Sequence, residues 1–124
     1  MSRHITVIED DPLVQGLIRD VLESEGDTVL TVAHGGTAQA ILDPTETDLI
    51  LVDMMLPDMP GTQLAAALRE KGCAHIPVIA MSADDVNLVF AKRSALFQDA
   101  IRKPFHIDEL LDIVERHAGR YVTA

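Results

Sequence analysis

Five short aliphatic runs, each followed by a stretch with helical spacing, constrain this chain more than any other feature in its sequence. Ile5-Thr6-Val7-Ile8 is the first run, and Val14, Leu17, Ile18, Val21 and Leu22 then recur at helical intervals until Gly26. Residues 28–32 form a less apolar second run, followed by a short helical stretch over residues 37–42 that stops near Asp43-Pro44. Leu49-Ile50-Leu51-Val52 is apolar at every position, as a strand covered on both faces should be. Leu64, Ala65 and Leu68 mark a third helix stopped by Gly72, and Val78-Ile79-Ala80-Met81 is a fourth strand. Val86, Val89, Phe90 and Phe97 mark a fourth helix, Ala100-Ile101-Arg102 a short fifth strand, and Leu110, Leu111, Val114 and Ala118 a last helix with Gly119 past its end.

Repeated strand–helix units predict an α/β domain: a five-stranded parallel sheet with helices on both faces. The first, third and fourth runs are the most apolar and belong in the centre. The doubly wound, flavodoxin-like order 2-1-3-4-5 satisfies this, and its switch point falls between strands one and three. A length of 124 residues suits one domain, over residues 1–124, able to bury a core without disulfides. Aromatic residues are only 3%, so that core must be aliphatic.

Ligands in such sheets bind beyond the carboxyl ends of the strands. Strand one ends in Glu9-Asp10-Asp11 and strand three in Asp53, so carboxylates converge across the switch point. Packed together they repel one another, and a hard cation with oxygen ligands, Mg²⁺ foremost, is the natural remedy. Asp11 precedes Pro12 and is read instead as a helix cap. Ser82 follows strand four and Lys103 follows strand five, which brings a hydroxyl and an ammonium to the same rim. Acids, hydroxyl and lysine together form a phosphoryl-transfer set: metal and lysine neutralise phosphoryl oxygens, the hydroxyl donates to one, and the carboxylate attacks.

Four segments carry a family resemblance. They are residues 5–12 around Glu9-Asp10-Asp11, residues 48–61 around Asp53 with Met59-Pro60-Gly61, Ile76-Pro77-Val78-Ile79-Ala80-Met81-Ser82-Ala83, and Lys103-Pro104-Phe105. In this order and spacing the chain resembles, over its whole length, the receiver domain of two-component response regulators, in a stand-alone form like the chemotaxis regulator. The resemblance implies a phosphoprotein of a two-component system or phosphorelay, with Asp53 as phosphoacceptor. It implies Mg²⁺ held directly by Asp10 and Asp53, by Glu9 mainly through water, and by the Met55 backbone carbonyl. Ser82 would hydrogen-bond the phosphoryl group, Lys103 would pair with it, and the Lys103–Pro104 bond would be cis. The donor would be a phosphohistidine on a histidine kinase or histidine phosphotransfer protein, and the signal would pass to a downstream protein. Such a domain is no enzyme in the ordinary sense, although it catalyses its own phosphorylation and dephosphorylation.

Three positions depart from the family pattern. Ala100 replaces a usual aromatic, Leu96 a usual Gly, and His106 a usual Asp or Ser cap. All lie in the region through which the family signals.

The net charge of −10 argues against a nucleic-acid surface or an anionic membrane as partner. The single cysteine, Cys73, excludes an intramolecular disulfide, and the chain opens at Met1 with no signal-peptide pattern, so a reducing, cytoplasmic setting is expected. His4, His34, His75, His106 and His117 have no ligand-like spacing, and Met54, Met55 and Met59 read as loop packing; the resemblance also implies that Met55 borders the attack path and shields the phosphoryl group. A flavin or nucleotide binder on the same fold would need a Gly, Ser or Thr-rich loop where Glu9-Asp10-Asp11-Pro12 stands. An aspartate-nucleophile phosphatase would need Asp-x-Asp there. The remaining alternative is a receiver-like interaction module that is not phosphorylated.

Overall fold

Each aliphatic run is a strand of one parallel sheet in the computed structural model, which describes residues 2–119. Met1 and residues 120–124, the ends of the expected domain, lie outside the described residues. In chain order the elements are β1 (His4–Ile8), α1 (Pro12–Ser24), β2 (Thr28–Val32), α2 (Gly35–Ile41), β3 (Leu49–Asp53), α3 (Gly61–Leu68) continued by a π-helical turn (Arg69–Cys73), β4 (Val78–Ser82), α4 (Asp85–Arg93), β5 (Asp99–Arg102) and α5 (Ile107–Ala118). The sheet order is β2-β1-β3-β4-β5, the doubly wound order expected from the sequence.

Strand alternation divides the core in two. Ile5, Val7, Leu49, Leu51, Ile79, Met81 and Ile101 face α1 and α5, where Ile18, Leu22, Leu110, Ile113 and Val114 meet them. Ile8, Ile50, Val52, Val78, Ala80 and Ala100 face the opposite way, against Ala38, Leu64, Leu68, Leu88 and Ala91 of α2, α3 and α4. Every residue of β3 and β4 is buried, which explains why both strands are apolar up to their last residues, Asp53 and Ser82.

Local chemistry sets the helix ends. Asp11 caps α1, its Oδ1 accepting the Leu13 N–H at 2.9 Å, with Pro12 in the first turn. Past the end of α1, Gly26 takes a φ of 92° that a side chain would resist. Asp84 caps α4 through the Val86 N–H at 2.8 Å. His106 occupies the cap position of α5, where Glu109 reaches back to accept its N–H at 3.1 Å.

Two sequence readings need correction. Helix α2 begins at Gly35 rather than at residue 37, because the Gly pair enters its first turn. In α4 the apolar spacing marks the wrong face: Val86 (75% exposed), Val89 and Phe90 point to solvent, while Leu88 and Ala91 make the core contact. Phe97 is buried, but it lies beyond the end of α4 in the loop before β5. No helix among the described residues is long and apolar enough to cross a membrane.

Candidate functional site

Register explains why the acids meet. Ile8 pairs with Val52, so the next residues, Glu9 and Asp53, leave neighbouring strands side by side. By the same alternation both follow the odd-numbered core residues that face α1 and α5. Lys103 stands two residues after Ile101, and therefore on that face too. Its ammonium donates to Glu9 Oε1 at 2.6 Å and to Asp53 Oδ2 at 2.8 Å. The Lys103–Pro104 bond is cis, as the resemblance implies.

Carboxylate oxygens of Glu9, Asp10 and Asp53 all lie within 4.8 Å of one another. Glu9 and Asp53 are buried and Asp10 is exposed. The other oxygen of Asp53, Oδ1, accepts the Met55 N–H at 2.9 Å, which fixes the carboxylate between lysine and loop. Burial, and then the neighbouring Asp53, push the Glu9 carboxyl up to about 7 despite the opposing pull of Lys103. Burial works against the Lys103 ammonium, but its hydrogen bonds with Asp53 and Glu9 outweigh that and raise its pKa. Hard oxygen donors this close, with one lysine as counter-charge to Glu9 and Asp53, suit a small divalent cation.

Ser82 ends β4 and is buried on the same rim. Its Oγ accepts the Asp84 N–H at 3.0 Å, so the hydroxyl proton is left to donate elsewhere. Met55 is 69% exposed at the mouth of the site, whereas Met54 is buried beneath it. Met55 lies opposite Pro60 in an isolated antiparallel bridge, made by the Gly61 N–H donating to the Met54 carbonyl at 2.8 Å and the Leu56 N–H donating to the Met59 carbonyl at 3.2 Å. The structure thus brings Glu9, Asp10, Asp53 and Lys103 into one cluster, with Ser82 and the Met55 backbone on its border.

Sequence reasoning missed two supports. The Gln15 side-chain amide donates to the Glu9 carbonyl at 2.9 Å, a contact with no sequence signal beyond helical position. Asp58 accepts the N–H groups of Gly35 and Gly36, and only the adjacent glycines hinted that a close approach was needed there.

An acid cluster bridged by lysine thus stands at the switch point of a doubly wound sheet, and one family profile matches the chain that carries it. That profile, the response regulator receiver domain, matches residues 5–115. The chain belongs to the response regulator receiver family. Among its relatives, the TorCAD operon transcriptional regulatory protein TorR of Escherichia coli is 32% identical over 111 residues, 90% of this chain and 48% of TorR. The transcriptional regulatory protein TcrA of Mycobacterium tuberculosis is 36% identical over 107 residues, 86% of this chain and 42% of TcrA. The receiver therefore spans about half the length of these curated relatives. In structure, the receiver domain of the sensor histidine kinase PA1611 from Pseudomonas aeruginosa superposes with a TM-score of 0.83 at 30% identity, covering 97% of this chain and 100% of that one. That structure holds a magnesium ion coordinated in its active site cleft. The receiver family acts as phosphoacceptor in two-component signalling, and this role is favoured over the alternative of a non-phosphorylated interaction module.

Proposed function

We propose that Asp53 is the residue that takes the phosphoryl group, from a phosphohistidine and in the presence of Mg²⁺. The observation that carries this reading is the Lys103 ammonium bridging Asp53 Oδ2 and Glu9 Oε1. It holds one oxygen of the buried Asp53 carboxylate against the ammonium, while the other is fixed by the Met55 N–H. A free lone pair of Asp53 attacks phosphorus, a P–O bond forms, the P–N bond breaks, and the imidazole leaves with the electron pair. Lys103 pairs with a phosphoryl oxygen as it leaves the carboxylates, and Ser82 donates its hydroxyl proton to another. Asp10, Asp53 and the Met55 carbonyl would hold Mg²⁺, with Glu9 contributing through water; the mutual approach of the three carboxylates supports that fit. When bound, Mg²⁺ supplies positive charge to the transferring phosphoryl group. The same residues would serve hydrolysis of the acyl phosphate, with water as nucleophile.

The partners are a histidine kinase or histidine phosphotransfer protein upstream and a protein target downstream, in the cytoplasm. An acidic balance of −10 speaks against this domain itself meeting nucleic acid or an anionic membrane. The test is intact-mass measurement after incubation with acetyl phosphate and Mg²⁺. The wild type should gain one phosphoryl group, and Asp53→Asn should gain none. Normal labelling of that variant would overturn the assignment, and an unlabelled wild type would return the chain to the class of interaction modules.

A further inference from the structure

The loop between β3 and α3 frames the site, and its two ends are tied by backbone bonds. Met54 N–H donates to the Met81 carbonyl at 3.0 Å at one end, and Gly61 N–H closes on the Met54 carbonyl at 2.8 Å at the other. Its outer tip, at Pro57 and Asp58, is exposed. What holds the tip is the carboxylate of Asp58, whose Oδ1 accepts the Gly35 N–H at 3.0 Å and whose Oδ2 accepts the Gly36 N–H at 2.9 Å.

Those amides open α2, and the residue in its own cap position, His34, makes no side-chain capping bond. The first-turn N–H groups of a helix need an acceptor, and a carboxylate there also meets the positive end of the helix dipole. Asp58 therefore caps α2 from another element. Side-chain packing closes the same joint: a Cβ on Gly35 would lie 2.6 Å from Met59 Sδ, so the loop and α2 are in close contact and a larger residue there would have to push the flexible Met59 side chain aside. The Gly36 and Gly35 N–H groups hold the Asp58 carboxyl below the usual carboxylate range, so it accepts both bonds as an anion at neutral pH.

We propose that Asp58 is a positioning residue for phosphoryl acceptance: by clamping the loop tip to α2 it fixes the Met55 backbone that frames Asp53, and it couples occupancy of the site to α2. The chain of contact is short. Asp58 holds the loop tip, Leu56 N–H donates to the Met59 carbonyl at 3.2 Å and, with the Gly61–Met54 bond, sets Met55 opposite Pro60, and Met55 N–H fixes Asp53 Oδ1. Without the clamp the loop keeps its ends and loses its orientation, so the Met55 carbonyl and the Asp53 carboxylate sample more directions. The inference rests on reading Glu9, Asp10 and Asp53 as the Mg²⁺ site.

The experiment titrates Mg²⁺ into the full chain by calorimetry and by amide NMR, for wild type, Asp58→Ala, Asp58→Asn and Asp10→Ala. Asp58→Ala should bind Mg²⁺ about tenfold more weakly, the low end of what outer partners of a metal site contribute. Asp58→Asn keeps one accepting oxygen and should fall between Ala and wild type. Because coupling is reciprocal, Mg²⁺ should slow amide exchange at Gly35 and Gly36 in the wild type and not in Asp58→Ala. A purely structural cap would lower the melting temperature and leave both readouts unmoved. Asp58→Ala binding Mg²⁺ like the wild type, while Asp10→Ala does not bind, overturns the clamp and keeps the metal site. A wild type that takes up no Mg²⁺ overturns both. Should Asp58→Ala not fold, unchanged exchange at Gly35 and Gly36 in Mg²⁺-saturated wild type is sufficient to overturn the coupling.

Discussion

Lys103 Nζ stands 2.6 Å from Oε1 of Glu9, a carboxylate with no exposed surface. The same ammonium reaches Asp53, so a single cation balances two buried acids from adjacent strands. Any cation entering the site competes with this lysine or joins it.

Lys103→Met removes that balance. Breaking a buried pair from one side costs roughly 3–5 kcal/mol, and because Lys103 keeps some exposure and Glu9 can take up a proton, about 2 kcal/mol is expected at pH 7. The loss should be greater at pH 8.5 than at pH 6, where Glu9 is neutral. Urea unfolding of both proteins at the two pH values reads this directly. A variant as stable as wild type at pH 8.5 would show that the lysine does not carry the acids.

Glu9 sets the pH dependence. Its folded pKa is raised from 4.5 to about 7, so the folded state binds its proton more tightly than the unfolded chain does. The stability this gives is fully present below pH 4.5 and is lost as pH rises through about 7. Without Mg²⁺ the melting temperature should therefore fall across that window. Glu9→Gln should flatten the fall, and saturating Mg²⁺ should raise the upper end by binding the folded state. Scanning melts across pH 5 to 8, with Mg²⁺ and without, distinguishes these outcomes; a wild-type curve that is flat without metal argues against the shift.

Two glycines give opposite expectations. A Cβ on Gly61 would stand 2.6 Å from the Asp53 carbonyl oxygen and 2.8 Å from Met54 Cα, both backbone that cannot step aside. Gly61→Ala should cost about 2 kcal/mol and slow labelling of Asp53. Gly16, inside α1, has no neighbour closer than the Arg19 guanidinium at 3.9 Å, so Gly16→Ala should gain about 0.5–1 kcal/mol and leave labelling intact. Equal stabilities for the two variants would contradict the close approach at Gly61.

Much of this was legible in the sequence because parallel, in-register strands carry their end residues to one rim. Once β1, β3, β4 and β5 were located, Glu9, Asp53, Ser82 and Lys103 could only meet there. The solvent-facing apolar residues of α4 were not legible, since Val86, Val89 and Phe90 have the spacing of a buried stripe and only tertiary packing reveals Leu88 and Ala91 as the inner face. Nor was the clamp from Asp58 to α2, which joins elements far apart in the chain through backbone amides that every sequence possesses.

Signal output should follow the contact that Ser82 already makes. Its Oγ holds the Asp84 N–H at 3.0 Å, and Asp84 caps α4, so a hydroxyl drawn towards a phosphoryl group must pull on or release the start of that helix. The fifth strand is anchored differently. Lys103 N–H donates to the Ser82 carbonyl at 2.9 Å within the ladder, and Ala100, buried among Leu88, Ala91 and Phe97, has no side chain to swing between positions. Asp85 also pairs with Arg102, tying the first turn of α4 to the end of β5 from outside, but both partners are exposed and the bond is weak. Movement is therefore expected in the β4–α4 loop and α4, where it would reorient the exposed face of Val86, Val89 and Phe90. Backbone NMR of the Mg²⁺ form with and without beryllofluoride, a phosphoryl mimic, reads this residue by residue. Shifts should concentrate at residues 82–97, with the Asp84 amide among the largest, and remain small across β5. Large changes at Ala100, Ile101 and Arg102 beside a silent α4 would refute the route.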